Sequence, residues 1–212
     1  MARFLVVLDV DSTLIEDEVI ELIADHAGVR AEVASITDRA MRGELDFAES
    51  LRARVATLVG LPIAVLDEVR EEVRVTPGAV ELIDTVHAAG GMVGVVSGGF
   101  HEVLDPLADR LGLDYRLANR FGVSDGRLDG TVSGPIIDAA AKAAALQEWS
   151  VTAGVPLPRA VAIGDGANDL AMLAIAGLSI AFDAKPVVRA AADLALDVRD
   201  LSSVLGVLGL RG

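Results

Sequence analysis

Residues 4–13 read FLVVLDVDST, a short apolar run that ends in aspartates at positions 9 and 11. The run is too short and too uniformly apolar for an amphipathic helix, and it is typical of a strand buried on both faces of a sheet. Similar runs recur at residues 92–96, 160–163, 179–182 and 194–198. Because segments with helical periodicity separate most of these runs, the chain is predicted to form an α/β fold with a doubly wound, Rossmann-like parallel sheet.

A helical segment fills the interval between the first two predicted strands. The interval is about eighty residues long, whereas a crossover connection needs only about a dozen. Helical periodicity covers residues 18–26, 31–41, 47–57 and 63–73, and glycines fall between them. We therefore expect a helical cap domain over residues 14–76, inserted into a core made of residues 1–13 and 77–212.

A second interruption of the alternation lies at residues 121–134. There Val123 and Leu128 flank an Asp125-Gly126 pair, and Asp-Gly between apolar residues is a strong signal for a two-residue hairpin turn. A small β-hairpin flap on the core is expected at this point.

Composition limits the classes of partner. The 212 residues carry a formal net charge of -14, and Lys and Arg are scattered along the chain. Since such a field repels a phosphate backbone, no nucleic-acid partner is expected. No apolar run approaches the ~18 residues of a membrane span, and the first apolar stretch is too short for a signal peptide. We expect a cytoplasmic protein without a membrane partner, and the sequence leaves open whether it is a monomer or a homodimer.

The two aspartates after the first strand are candidates for catalysis. The chain has no cysteine, so any catalysis must use oxygen or nitrogen groups. In open α/β sheets the ligand lies beyond the carboxyl ends of the strands, where Asp9 and Asp11 are expected. If strand geometry persists, both carboxylates point to the same side, so that one can attack while the other transfers protons. Alternatively, these aspartates only cap the following turn.

Two glycine-containing segments follow other predicted strands. Residues 97–99 read Ser-Gly-Gly before a helix, and glycines there let backbone amides approach an anion such as phosphate. Residues 164–169 read GDGAND, in which Asp165 and Asp169 offer oxygen ligands suited to Mg²⁺. An ordinary glycine turn, and a calcium-type or structural turn, are the respective alternatives. Lys142 lies in an Ala-rich helix, where a single Lys is usually a solvated charge.

In their order along the chain, these elements match the four motifs of the haloacid dehalogenase superfamily of phosphotransferases, which the sequence resembles. The matching elements are residues 9–13, Ser97, Lys142 and residues 164–169. Within that superfamily, the chain is similar over nearly its whole length to the branch that hydrolyses phosphoserine. That similarity includes VVSGGF at residues 95–100 and AKP at residues 184–186.

The resemblance implies roles for the core residues. Asp9 is expected to be the nucleophile of an aspartyl-phosphate intermediate, and Asp11 the general acid and base. The Asp9 and Asp165 carboxylates and the Asp11 backbone carbonyl are expected to hold Mg²⁺, with Asp169 orienting these ligands. The phosphoryl group is expected to be bound by Ser97 and Lys142 in a site lined by Gly98, Gly99 and Asn168.

The resemblance also implies that the cap selects the substrate, phosphoserine, whose hydrolysis is the last step of serine biosynthesis. Glu18 is expected to bind its amino group and Arg54 its carboxylate, while Met41 and Phe47 close an apolar lid. Without the resemblance, Glu18 and Arg54 also fit a solvated helical face. Two alternatives keep all four motifs: hydrolysis of another small phosphomonoester, and phosphoryl transfer to homoserine. A phospho-accepting signalling receiver is a more distant alternative.

Overall fold

A computed structural model describes residues 2–41 and 44–210 of the chain, the side chain of Met41 excepted. In chain order, the strands are β1 (Leu5–Leu8), β2 (Met92–Phe100), β3 (Tyr115–Ser124), β4 (Arg127–Ser133), β5 (Ala160–Gly164), β6 (Leu178–Phe182) and β7 (Leu194–Leu196). They form a seven-stranded sheet in the order β4-β3-β2-β1-β5-β6-β7. All neighbouring strands are parallel except β3 and β4, which are antiparallel. The predicted doubly wound α/β fold is confirmed.

Ten α-helices connect and cover these strands within the described residues. They are α1 (Val19–Ala27), α2 (Arg30–Met41), α3 (Phe47–Ala56), α4 (Val65–Glu72), α5 (Ala79–Ala88), α6 (His101–Leu111), α7 (Ala139–Ala153), α8 (Leu170–Leu173), α9 (Pro186–Ala191) and α10 (Ser203–Val207). Across this part of the chain, no helix combines the length and apolarity that a membrane span requires.

Burial on both faces explains why β1 is continuously apolar. Val6 and Leu8 belong to the hydrophobic cluster on one side of the sheet, whereas Leu5 and Val7 belong to the cluster on the other side. Side chains alternate along a strand, so a strand covered by helices on both sides needs an apolar residue at every position.

Helices α1 to α4 occupy the long interval between β1 and β2, within one or two residues of the predicted bounds. The chain enters and leaves this helical insert through two adjacent connections, residues 14–17 and 73–76, which we call the neck. Ile15 and Val75 pair in an antiparallel bridge, and the Glu16 N–H donates to the Arg74 carbonyl at 2.9 Å. Asp17 also accepts a hydrogen bond from the Arg74 guanidinium at 2.6 Å. The insert is therefore joined to the sheet by a narrow, paired segment.

The hairpin differs from the expected flap in two respects. Its turn is as predicted, with Asp125 and Gly126 at φ values of 51° and 73°, as a type I′ turn requires. Its first strand, however, is β3, which pairs with β2 and so belongs to the main sheet. The tip of the hairpin also contacts the insert, because the Gly60 N–H donates to the Leu128 carbonyl at 2.8 Å. The hairpin thus contacts both the sheet and the insert.

Strand β2 is longer than predicted. The apolar run predicted a strand over residues 92–96, with residues 97–99 as an anion-binding segment after it, but β2 continues to Phe100 with an irregularity in its pairing after Val96. Glycines weaken strand propensity without forbidding the conformation, so the apolar run alone ended the predicted strand too early.

Candidate active site

Three central strands bring the candidate residues to one edge of the sheet. Strands β2, β1 and β5 are neighbours and parallel, so their carboxyl ends lie side by side. Asp9 follows β1, Ser97 lies within the end of β2, and Asp165 follows β5. The Asp9 N–H donates to the Ile163 carbonyl at 2.9 Å, which fixes the end of β1 against the end of β5.

Lys142 reaches this edge from α7 and is fully buried, with a relative exposure of 0%. Its Nζ donates to Asp9 Oδ1 at 2.5 Å and to Asp169 Oδ1 at 2.7 Å. Burial alone would lower the pKa of Lys142, but the charges of Asp9 and Asp169 outweigh it and raise that pKa above its usual value. Lys142 is therefore a permanent positive charge beside the Asp9 carboxylate, and not a solvated lysine.

Asp11 is held between the insert and the sheet. Its Oδ1 accepts a hydrogen bond from the Val19 N–H at 2.9 Å, and its Oδ2 accepts one from Ser97 Oγ at 3.2 Å. Burial, followed by the charge of Glu18, raises the pKa of Asp11 to about 7. A carboxyl group with such a pKa can both donate and accept a proton near neutral pH.

The segment at residues 97–99 presents backbone where side chains are excluded. A Cβ atom on Gly98 would lie 2.9 Å from Phe47 Cζ, and one on Gly99 would lie 3.0 Å from Asp11 Oδ2. Ser97 Oγ accepts the Gly99 N–H at 2.7 Å. This close approach of backbone to functional side chains is suited to binding an anion through amide and hydroxyl donors.

An acidic cluster fits a divalent cation. Asp9, Asp165 and Asp169 each offer a carboxylate oxygen within 4.8 Å of the others. Burial, followed by the charge of Asp169, raises the pKa of Asp165 to about 6 and raises the pKa of Asp9 well above its usual value. Grouped hard oxygen donors with excess negative charge match the preference of Mg²⁺. The Asp11 carboxylate lies outside this cluster, bonded to Val19 and Ser97.

The turn after β5 fixes Asp169. The Gly166 N–H donates to Asp169 Oδ2 at 3.1 Å. A Cβ atom on Gly164 would lie 2.5 Å from Asp169 Cγ, so only glycine fits between the strand end and this carboxyl group. Asp169 itself is fully buried.

A cavity of about 650 Å³ opens between the sheet edge and the insert. The predicted site residues that line it are Asp9, Asp11, Gly98, Gly99, Asp165 and Asn168 from the sheet side, and Glu18, Phe47 and Arg54 from the insert. The structure thus brings these residues to one cavity, with Ser97, Lys142 and Asp169 buried behind its wall. The side chain of Met41, also predicted to bind substrate, lies outside the described part of the chain.

Glu18 and Arg54 bring opposite charges to this cavity from the insert. Glu18 Oε1 accepts a hydrogen bond from Ser12 Oγ at 2.8 Å, while Arg54 Nε donates to the Ser50 carbonyl at 3.3 Å. Burial lowers the pKa of Arg54, and the charges of Glu18 and Asp11 oppose that shift. Since the bond to Ser50 uses Nε, the two terminal nitrogens of the Arg54 guanidinium are available to a ligand.

Two residues of the site were not predicted from the sequence. Lys185 lines the cavity, and its N–H donates to the Asp165 carbonyl at 3.1 Å. The sequence contains two lysines, Lys142 and Lys185, and its other basic side chains are mainly arginines. This scarcity of lysine is a signal that could have drawn attention to both residues. Asn119, in β3, donates to the Gly98 carbonyl at 2.9 Å. An Asn is unusual inside a strand, but the predicted hairpin begins at residue 121, so the part of β3 that contains Asn119 was not predicted.

This arrangement defines the class of the protein. A carboxylate held against a buried lysine, next to a second carboxyl group that titrates near neutrality, is suited to nucleophilic and acid–base chemistry on an anionic substrate. A family model described as haloacid dehalogenase-like hydrolase matches residues 6–174. The chain belongs to that family.

Individual relatives show which members of this family the chain is similar to. The chain is 59% identical to a phosphoserine phosphatase of Streptomyces coelicolor over 99% of its own length and 51% of that protein, so it spans about half the length of this relative. It is 50% identical to a phosphoserine phosphatase of Streptococcus thermophilus, over 96% of the chain and 95% of the relative. A solved structure, described as a phospho-aspartyl intermediate analogue of phosphoserine phosphatase, superposes with a TM-score of 0.92 at 42% identity, covering 98% of the chain and 99% of its own.

Proposed function

We propose that the chain hydrolyses O-phospho-L-serine to L-serine and phosphate through an aspartyl-phosphate on Asp9, as the last step of serine biosynthesis. One observation carries this proposal: a single cavity joins the Asp9 and Asp11 carboxyls to the opposite charges of Glu18 and Arg54. The first pair suits cleavage of a phosphate ester, and the second pair suits the two ends of an amino acid. The similarity to the phosphoserine phosphatases supports the same substrate.

The proposed reaction begins with attack of an Asp9 oxygen on phosphorus. Lys142 donates to Asp9 Oδ1, which leaves the second carboxylate oxygen for attack and orients it. The serine oxygen leaves as the phosphorus–oxygen bond breaks, and Asp11 supplies its proton. Asp11 then accepts a proton from the water that hydrolyses the acyl phosphate, which returns both carboxyl groups to their starting states.

Mg²⁺ is the proposed cofactor. Asp9, Asp165 and Asp169 provide the clustered oxygen donors, and the Asp11 backbone carbonyl is a further proposed ligand. When bound, Mg²⁺ would neutralise the acidic cluster and stabilise charge on the phosphoryl oxygens. Ser97, Gly98, Gly99 and Asn168 complete the proposed anion-binding wall, and Lys185 is an additional cation at the cavity for an incoming phosphate in a strongly acidic protein.

Residues 14–76 are proposed to act as a cap over a catalytic core of residues 1–13 and 77–212. The insert is joined to the sheet through the neck, and Phe47 of the insert packs next to Gly98. A lid of this kind excludes bulk water while Asp9 attacks the phosphate ester, and it opens to release the products. Met41 and Phe47 are its proposed apolar residues.

Removal of the metal should abolish activity. We expect phosphate release from phosphoserine to stop in the presence of a chelator and to return with excess Mg²⁺, because the acidic cluster otherwise repels the phosphate dianion. Ca²⁺ should not restore activity, since its larger and looser coordination would occupy the Asp9 oxygen that attacks. Phosphate release measured with each ion tests this; equal rates with Ca²⁺ and Mg²⁺, or full activity in chelator, would contradict it.

The choice of phosphoserine is tested at Glu18 and Arg54. Glu18→Gln or Arg54→Ala leaves one charge of the substrate unpaired in a closed cavity, which should cost about 2–4 kcal/mol, or about 30-fold to 1000-fold in kcat/KM for phosphoserine. An aryl phosphate without amino and carboxylate groups should lose far less. Arg52→Ala, on the same helix but exposed, is the matched control and should change neither rate.

The outcome separates the proposed substrate from its alternatives. If both substrates lose the same factor in the Glu18 and Arg54 variants, these residues serve the fold or the catalytic frame. The case for phosphoserine would then rest on the similarity to the phosphoserine phosphatases alone. A separate experiment tests the phosphotransferase alternative. Phosphoserine is incubated with and without homoserine, and the formation of phosphohomoserine is measured.

A further inference from the structure

Asn119 is a buried side chain whose amide is bonded at both ends to backbone. It is 1% exposed. Its Nδ2 donates to the Gly98 carbonyl at 2.9 Å and to the Gly99 carbonyl at 3.3 Å. Its Oδ1 accepts the Ile137 N–H at 2.9 Å. One side chain therefore connects two successive peptides of β2 with the segment that precedes α7.

These bonds determine which way the two peptides face. In a planar trans peptide the N–H points opposite to the carbonyl, and the described residues contain no cis peptide bond. With the Gly98 and Gly99 carbonyls held by Asn119, the N–H groups of Gly99 and Phe100 point away from it. The Gly99 N–H donates a hydrogen bond to Ser97 Oγ, and Ser97 Oγ donates one to Asp11 Oδ2. Asn119 thus holds two carbonyl oxygens, which would repel an anion, on its own side of β2, while the Gly99 N–H faces Ser97, which is bonded to the cavity-lining Asp11.

The third bond links this wall to the lysine. Ile137 directly precedes Asp138, whose carboxylate caps the start of α7 by accepting the Ala141 N–H at 2.9 Å. Lys142 lies in the first turns of the same helix, bonded to Asp9. The Asn119 amide therefore sets the position of the Gly98 and Gly99 peptides relative to the helix that carries the buried lysine.

We propose that Asn119 is a positioning residue of the phosphoryl site, which orients the peptides of Gly98 and Gly99 and holds them in register with Lys142. This inference rests on the proposed function of the cavity. It differs from a purely structural role, in which Asn119 would only satisfy buried backbone groups beside the irregularity in β2.

Asn119→Asp is the sharpest test, because the two side chains have the same shape. The carboxylate still accepts from Ile137, but it repels the Gly98 and Gly99 carbonyls, so those peptides can turn. With Mg²⁺ present, we expect kcat/KM for phosphoserine to fall by about 10-fold to 100-fold, and the inhibition constant of inorganic phosphate to rise by about 10-fold. If the Asp variant does not fold, Asn119→Ser, which lacks the carbonyl contacts and adds no charge, should raise the same constant.

The inhibition constant separates positioning from folding, since it does not depend on how much enzyme is active. Ser150→Ala is the matched control: Ser150 is buried and bonds to the Val155 carbonyl near the far end of α7, and its loss should leave that constant unchanged. An unchanged phosphate constant in the Asn119 variants, with activity reduced only in proportion to thermal stability, would overturn the proposal. If the wild type does not hydrolyse phosphoserine, the proposed function fails, and calorimetric binding of inorganic phosphate to wild type and variants still decides the role of Asn119.

Discussion

An Asp9→Asn variant is expected to fold and to lose turnover of phosphoserine by about 10⁴-fold or more. An amide oxygen is a poor nucleophile and cannot form the acyl phosphate. It is also a weaker ligand for Mg²⁺ than a carboxylate. The fold should survive, because the Asn oxygen can still accept the hydrogen bond from Lys142 Nζ, and Lys142 remains paired with Asp169.

The measurement is steady-state phosphate release, with the melting temperature of each variant as the test of folding. Asp193→Asn is a suitable control, since the Asp193 carboxylate bonds to Ser179 in β6 and takes no part in the cavity. It should keep turnover close to that of the wild type. Residual activity of Asp9→Asn within tenfold of the wild type would exclude Asp9 as the nucleophile.

An Asp11→Asn variant is expected to lose turnover by about 10²-fold to 10⁴-fold. Burial and the charge of Glu18 bring the pKa of Asp11 to about 7, and an amide cannot transfer a proton at any pH in the working range. The amide oxygen can still accept the Val19 N–H, so the connection between the turn and α1 should persist. Phosphate release under the same conditions tests this, and an aryl phosphate, whose leaving group needs no proton, is the comparison substrate.

That aryl phosphate distinguishes the two steps of the reaction. If Asp11 only protonates the leaving serine, the variant should hydrolyse the aryl phosphate at a normal rate. If Asp11 also activates water, both substrates should slow. Normal turnover of phosphoserine by the variant would show that another group transfers the proton.

The sheet was predictable where its strands are buried on both faces. Runs such as residues 4–8 have no polar position, and so short a continuous apolar run is typical of a strand covered on both sides. The first part of strand β3, residues 115–120, was missed because Arg116, Asn119 and Arg120 interrupt its apolar residues. Its place in the sheet depends on pairing with β2, which is a tertiary interaction that local sequence does not encode.

The acidic residues of the site were predictable because strand ends determine where they meet. The burial of Lys142 was harder to predict. Helix α7 has alanines on every side, so the hydrophobic periodicity does not show which face of the helix is buried. Only the fold shows that Lys142 is fully enclosed between two carboxylates. The contacts of Asn119 likewise depend on backbone groups that are 18 to 21 residues away in sequence, which no local pattern indicates.

Trapping of the aspartyl-phosphate is the decisive measurement for the proposed mechanism. Wild type and Asp11→Asn are mixed with phosphoserine and Mg²⁺, quenched in acid within one turnover, digested, and analysed by mass spectrometry. We expect one added phosphoryl group on the peptide that contains Asp9, removable by hydroxylamine and absent from Asp9→Asn. A phosphoryl group on any other side chain, or phosphate release in a burst with no labelled peptide, would contradict a covalent mechanism at Asp9.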